Sequence, residues 1–408
     1  MTEPTAKPSD SETYSQSMRI LTLVSGGHAL SNFYILCLPP LIPLLKEEFD
    51  VSYAALGLMI SVRSLATGFL QLPMGFLVDR FGGKNVLTFG LIAMSLSVGM
   101  IALVPDYTWT LAAMALLGVG VATIRPSNYT ILNASMPPTF IGRSFGINMF
   151  AGHSGRVVAP PLIIFAAALW GWRVAVLIAA GIGLLTTIAI VTQWQHVRDD
   201  AAARRESKGA GFVSEVRVLA SYSVLLFFFF YLLQALATNG LHSFVVAALA
   251  ELHQTPLGAA STALTAYLIA SAVGVLAGGF LVDKTPRHEL VAVAALVASA
   301  ALLVALGTVS LPIVVVIVVM AAIGIFQGTV RPARDMMIRD ILPKEAFGKA
   351  ISMVATGAAI GGFIAPVTFG WIMDIGQAQW LFYLLAACLV LIALTVLAPK
   401  QRIVLPRD

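Results

Sequence analysis

Twelve apolar runs of roughly 20 residues or more fill this 408-residue chain, and they constrain its fold more than any motif does. They fall near 19–45, 53–78, 85–105, 108–131, 144–168 and 172–194, then 218–248, 258–282, 289–309, 312–335, 348–371 and 378–398. A helix rises about 1.5 Å per residue, so each run is long enough to cross a hydrocarbon layer about 30 Å thick. Lipid offers the backbone no partners, so each run must close its own hydrogen bonds as an α-helix. Composition agrees, at 58% hydrophobic and 11% charged. The expected fold class is an all-α membrane protein with twelve transmembrane helices, arranged as two pseudo-symmetric six-helix bundles.

The duplication shows as an internal repeat. GVGVATIRPSNYTILN (118–133) and GIFQGTVRPARDMMIR (324–339) place Arg125 and Arg331 in matching apolar settings, 206 residues apart. Gly118 matches Gly324, Pro126 matches Pro332, Gly155 matches Gly361, and Ala159-Pro160 matches Ala365-Pro366. An arginine at bilayer depth costs about 2.5–3.5 kcal/mol on insertion scales, so a repeated one points to function. Each lies about 10 residues before a proline-containing turn, roughly 15 Å along a helix axis. Pro126 and Pro332 leave the carbonyls of Ala122 and Gly328 without their helical donors, a break tolerated where helices line a cavity.

The net charge of +5 reflects sorting by side, not affinity for nucleic acid. Of 25 Lys and Arg, 18 fall in segments on the side of the N-terminus, and only Lys46 and Arg173 fall on the other. Five lie within apolar runs: Arg63, Arg125, Arg156, Arg331 and Arg334. The positive-inside rule then puts both termini in the cytoplasm of a bacterial-type inner membrane. Expected boundaries are a disordered tail at 1–17, a first bundle at 18–195, a cytoplasmic linker at 196–214, a second bundle at 215–398 and a tail at 399–408. Cys37 and Cys388 both fall inside apolar runs, so no structural disulfide is expected.

A second duplicated element is GFLVDRFGGK (75–84) with its partner GFLVDKTPRH (279–288). Gly75, Asp79, Arg80 and Lys84 in the first, and Gly279, Asp283 and Lys284 in the second, are candidate gating residues. Glycine permits close helix packing, and an aspartate there can meet a neighbouring helix N-terminus or a basic side chain. This pattern resembles the loop signature of the major facilitator superfamily, and the resemblance covers about 18–398. Within it the chain looks most like the fosmidomycin-resistance-type branch, on GHALSNFYILCLPPLIPLLKEEFDVSYAALGL (27–58), PSNYTILNASMPPTFIGRSFG (126–146) and RPARDMMIRDILPKEAFGKA (331–350). Members of that branch often carry an aromatic-His-Pro step where this chain has Ile124-Arg125-Pro126. A permanent cation thus replaces a titratable group.

The resemblance implies that the first, fourth, seventh and tenth spans line a central cavity. Those spans carry His28, Asn32 and Tyr34; Arg125, Asn128 and Tyr129; Gln234, Thr238, Asn239 and His242; and Gln327, Arg331, Arg334 and Asp335. Arg125 and Arg331 are expected to face each other across that cavity. Two guanidinium forks so placed repel unless an anion sits between them, and each suits carboxylate or phosphonate oxygens. The candidate substrate-binding set is Arg125, Arg331, His28, Gln234, Arg63, Asn32 and Tyr129. Arg63, matched by Tyr267 in the repeat, has a competing role as a cation snorkelling to an outer vestibule. Arg156 is open in the same way. Asp335 is the one carboxylate placed within a span, with Arg331 or Arg334 available to neutralise it, which argues against cationic cargo. His28, His153 and Asp335 are the proton-coupling candidates.

Phosphate loops, metal-ligand spacings and nucleophile–base pairs are missing from the sequence, so neither an enzyme nor a cofactor or metal site is expected. The expectation is a monomer in a lipid bilayer, with a small anionic molecule and protons as its partners. Its function would be secondary transport of a small organic anion by alternating access, proton-linked or by exchange. Alternatives are a drug or phosphonate efflux antiporter and a membrane sensor without turnover.

Overall fold

The computed structural model describes residues 10–104, 106–193, 222–285, 287–341 and 347–398. The expected linker at 196–214 and the tail at 399–408 lie outside the described residues. So do residues 1–9, but the remainder of the expected N-terminal tail is helical. Helix α1 begins at Asp10 and runs to Cys37. Its polar first turns extend beyond the apolar run, and Ser17 Oγ ties them to the Ser135 carbonyl at 2.9 Å.

A 3₁₀ turn at Pro39–Leu41 breaks the first span, which continues as α2 (Ile42–Phe49). The rest of the first half is α3 (Tyr53–Phe81), α4 (Gly83–Leu103), α5 (Tyr107–Ser135), α6 (Ile141–Trp170) and α7 (Trp172–Val191). The second half is α8 (Tyr222–His253), α9 (Leu257–Lys284), α10 (His288–Thr308), α11 (Ile313–Ile341), α12 (Phe347–Asp374) and α13 (Gln379–Leu397). Twelve helical segments among the described residues are long and apolar enough to cross a membrane. The protein is an all-α, multi-pass membrane protein.

Local chemistry sets the helix ends. Ser52 Oγ accepts the Ala55 N–H at the start of α3, and Asp106 Oδ1 accepts from Thr108 and Trp109 at the start of α5. Gly82 (φ 85°) and Gly171 (φ 81°) turn the chain between adjacent spans in one residue, a backbone conformation that glycine adopts without steric cost. Among the described residues, the two non-glycine residues at positive φ are Asp50 (φ 48°) and Gln254 (φ 50°), each at the turn before the second span of its half.

The repeat extends to packing. A Cβ on Gly118 of α5 would strike the Arg63 carbonyl of α3, and a Cβ on Gly324 of α11 would strike the Tyr267 carbonyl of α9. Small residues at these points let helix backbones touch, the main source of helix association in lipid. The halves meet through α3 on α12, α6 on α9, and the 3₁₀ turn on α8. Cys37 and Cys388 are buried free thiols.

Candidate functional site

The chain ends define a terminal face, where α1 begins and α13 ends, and the molecule is sealed at the opposite face. There the Asp374 carboxylate, at the end of α12, accepts from the backbone N–H groups of Tyr53 (2.7 Å) and Ala54 (2.8 Å) at the start of α3. A carboxylate on exposed helix N–H groups is a charge-assisted contact favoured by the helix dipole. Tyr53 Oη donates to Glu251 of α8 at 2.6 Å, and Lys46 lies 4.0 Å from the centre of the same ring. Further in, Gly57 lies against the Pro366 carbonyl and Gly370 against that of Tyr53, so α3 and α12 meet backbone to backbone. Ser61 Oγ donates to the Phe363 carbonyl.

This contact fades toward the terminal face. Gly68 still reaches Ala359, but Leu72 and Phe76 are 79% and 76% exposed, and Gly75 meets open space. Gly279 also meets open space. No described residue packs against these two glycines, and the described ends of α3 and α12 lose contact toward the terminal face. Asp79 and Asp283 are exposed and bond to none of the described residues. Arg80 stacks over Phe81 at 5.3 Å, Lys84 lies in the first turn of α4, and Lys284 ends α9.

Between sealed and splayed ends lies a cavity of about 780 Å³. Its walls include His28, Asn32, Arg125, His153 and Arg156 from the first half, and Arg331, Arg334 and Asp335 from the second. Arg125 and Arg331 thus line one cavity from opposite halves, and neither donates a hydrogen bond to any of the described residues. Arg125 also borders a side space of about 520 Å³ with Tyr129, whose ring packs on Phe145 at 4.7 Å. Asp335 is engaged by Arg334 at 2.8 Å, rather than by Arg331, and Arg334 also lies over the Tyr231 ring at 4.6 Å.

The first-half wall is wired by hydrogen bonds. His28 Nδ1 lies 2.8 Å from Asn148 Oδ1 and 3.0 Å from the Asn148 carbonyl. Both partners are acceptors as placed, so Nδ1 carries the hydrogen. Asn148 also links to Asn128 and Ser25, each at 3.4 Å. Asn32 Nδ2 donates to the His28 carbonyl, and Asn32 Oδ1 accepts from Arg156 Nε at 2.7 Å.

Several expected residues are not on the cavity wall: Asn128, Thr238, Asn239, His242 and Gln327, and also Arg63, Gln234 and Tyr34. Arg63 is 7% exposed and is not a cavity-wall residue; its buried side chain donates to Ser64 Oγ at 3.1 Å. Gln234 is withdrawn from the wall by its bonds to Thr238 (3.1 Å) and Gln327 (3.2 Å). Tyr34 is buried inside the first half, donating to Ser95 and the Ala179 carbonyl. Asn148 and Asp374 escaped the sequence reading. For Asn148 a signal existed, since Asn148, Gly152 and Gly155 recur at helical spacing on one face of α6. Asp374 gives none, because a carboxylate at a span end is ordinary.

Residues 24–246 and 227–406 each match the sequence pattern of the Major Facilitator Superfamily. The chain belongs to that superfamily. Over 90% of this chain and 91% of the other, it is 24% identical to the fosmidomycin resistance protein of Escherichia coli K12. The hexuronate transporter of Bacillus subtilis 168 is 23% identical over 81% of this chain and 82% of its own. The probable L-galactonate transporter of Escherichia coli K12 is 32% identical, but the match spans 32% of this chain and only 28% of that protein. Among solved structures, the nucleoside transporter NupG aligns with a TM-score of 0.78 at 14% identity, covering 94% of this chain and 99% of that one. A bacterial homologue of the human lysosomal transporter Spinster, inward-facing and unoccupied, aligns at 0.73 with 17% identity, covering 96% and 95%. At these identities the structures show the fold alone. The superfamily and the relatives' names are those of transporters, not enzymes.

Proposed function

We propose that this protein is a secondary transporter of a small organic anion, working by alternating access. One observation carries the reading: guanidinium groups from opposite halves, Arg125 and Arg331, line one cavity whose sole wall carboxylate among the described residues is already engaged by Arg334. A cation would find no free partner there, whereas a carboxylate or phosphonate would be offered two bidentate forks. The names of galactonate and hexuronate transporters among the relatives support an anionic cargo. The 18 basic residues on the terminal side support placing that face in the cytoplasm, which makes the conformation inward-open.

In this reading the Asp374 contact holds the outer face shut, and Asp79 and Asp283 act when the inner face closes. His28 and His153 are the cavity-wall groups available for proton coupling. The test is uptake of labelled carboxylates and phosphonates into proteoliposomes under an imposed pH gradient. Saturable uptake accelerated by that gradient is expected of a proton-linked carrier. Uptake driven only by preloaded anion marks an exchanger, and no uptake of any anion ends the reading. Asp79→Asn is expected to slow turnover while leaving cargo affinity in the same range, because only the balance between states changes. Loss of affinity with normal turnover would contradict that role.

A further inference from the structure

We infer that the cargo site is built for a dianion, with Arg156 as its third cation. This rests on the anion reading above and goes beyond it in fixing the charge of the cargo. Among the described residues the cavity wall holds four arginines and one carboxylate: Arg125, Arg156, Arg331, Arg334 and Asp335. Arg334 and Asp335 cancel at 2.8 Å, which leaves three guanidinium charges without an acid.

Arg156 differs from the other two in being aimed. Its Nε is fixed on Asn32 Oδ1 at 2.7 Å, and Asn32 is itself anchored to the His28 carbonyl at 3.0 Å. That leaves the two terminal nitrogens of Arg156 free of bonds to the described residues. Arg125, Arg156 and Arg331 all line the same cavity, so the three offer their charge to one space rather than forming separate surface sites. Like charges gathered on one cavity wall repel, and anionic cargo relieves that cost. A monoanion placed between Arg125 and Arg331 still leaves Arg156 uncompensated. A cargo with two negative charges compensates one more, and its additional oxygens have donors waiting.

Two cargo shapes carry that charge: a compact tetrahedral dianion, or two separated carboxylates. The probes are matched pairs that change charge with little change of size. Methylphosphonate at a pH where it is doubly ionised is set against methanesulfonate, and succinate against succinamate. Binding is read from the thermal unfolding midpoint of the purified full-length protein in detergent at fixed ionic strength.

Wild type is expected to prefer the dianion of at least one pair by about tenfold, the scale of one charge-assisted hydrogen bond. The pair that shows the preference identifies the shape. Arg156→Gln is expected to bring that pair near parity while the monoanion still binds, and Arg156→Lys to keep part of the preference. Equal affinity for both members of both pairs in wild type overturns the inference, even if Arg156→Gln fails to fold. So does a preference that survives in Arg156→Gln. Failure of all four probes to bind removes the anion reading and this inference with it, whereas monoanion binding without discrimination removes only this one.

Discussion

The two walls of the cavity descend from one repeat, yet they are not chemically alike. At a separation of 206 residues, His28, Asn32, Asn148, His153 and Arg156 of the first half correspond to Gln234, Thr238, Val354, Ala359 and Gly362 of the second. The first wall is a hydrogen-bonded polar surface centred on Asn148 and Asn32. The second has neutral residues at the matching points, with Gln234 and Thr238 bonded to each other and Val354, Ala359 and Gly362 small or apolar, and contributes Arg331 beside the Arg334–Asp335 pair. The repeat preserved the paired cations Arg125 and Arg331 but not the residues that support them. A symmetric scaffold therefore presents an asymmetric site, and an asymmetric cargo has one preferred orientation in it.

The largest expected effect comes from removing either shared cation. Arg125→Ala and Arg331→Ala should each abolish flux per folded protein, because truncating one side of a buried charged contact costs about 2–5 kcal/mol, a factor of about 30 to several thousand in affinity. Lysine at either position should restore flux only in part, since it keeps charge but loses the fork. Wild-type flux in well-folded Arg331→Ala would mean that the second wall takes no part in binding.

A smaller effect separates wiring from bulk. Asn148→Ala strips partners from His28 and Asn128 and should lower stability by about 1–3 kcal/mol, with a measurable loss of anion affinity. Val354→Ala, at the repeat equivalent of Asn148 in the second half, should lower the unfolding temperature without changing affinity. Calorimetry and anion titration on the two variants make the comparison, and equal affinity losses would erase the distinction between the walls.

The smallest effect is expected at the Arg334–Asp335 pair. Exposed pairs are worth about 0–1 kcal/mol, so Asp335→Asn should barely affect stability. It frees a fourth positive charge, so anion affinity should rise a few-fold, and more at low salt. An unchanged salt dependence of binding would show that Asp335 does not act on the cargo.

The sequence made the scaffold readable because bilayer physics leaves few options for apolar runs of this length. All twelve spans were legible, as were the paired arginines, since a repeated charge in an apolar helix has no cheap structural explanation. What was not legible depends on helix rotation. Arg63 and Arg156 look alike as isolated cations in apolar runs, yet one turns into the bundle and the other into the cavity. Gln234 stands at the repeat equivalent of His28, but Gln327 and Thr238 draw it inward. Residues 10–17 are helical where their polar composition predicts disorder, and contact with the end of α5 supports that helix.

The break at Pro39–Leu41 keeps a record of how the two halves diverged. His28 and Gln234 stand 206 residues apart, whereas Asp50 and Gln254, at the same left-handed turn, stand 204 apart. The first copy therefore spends two more residues than the second between these landmarks. In the second copy α8 crosses without interruption, while the first bends through the 3₁₀ turn. A proline pair ends the helical hydrogen-bond ladder there, so the stretch can absorb extra length without rotating the helix on either side. A two-residue insertion is thus tolerated at that point of the span and penalised elsewhere along it, where it would turn His28 and Asn32 by about 200° away from the cavity.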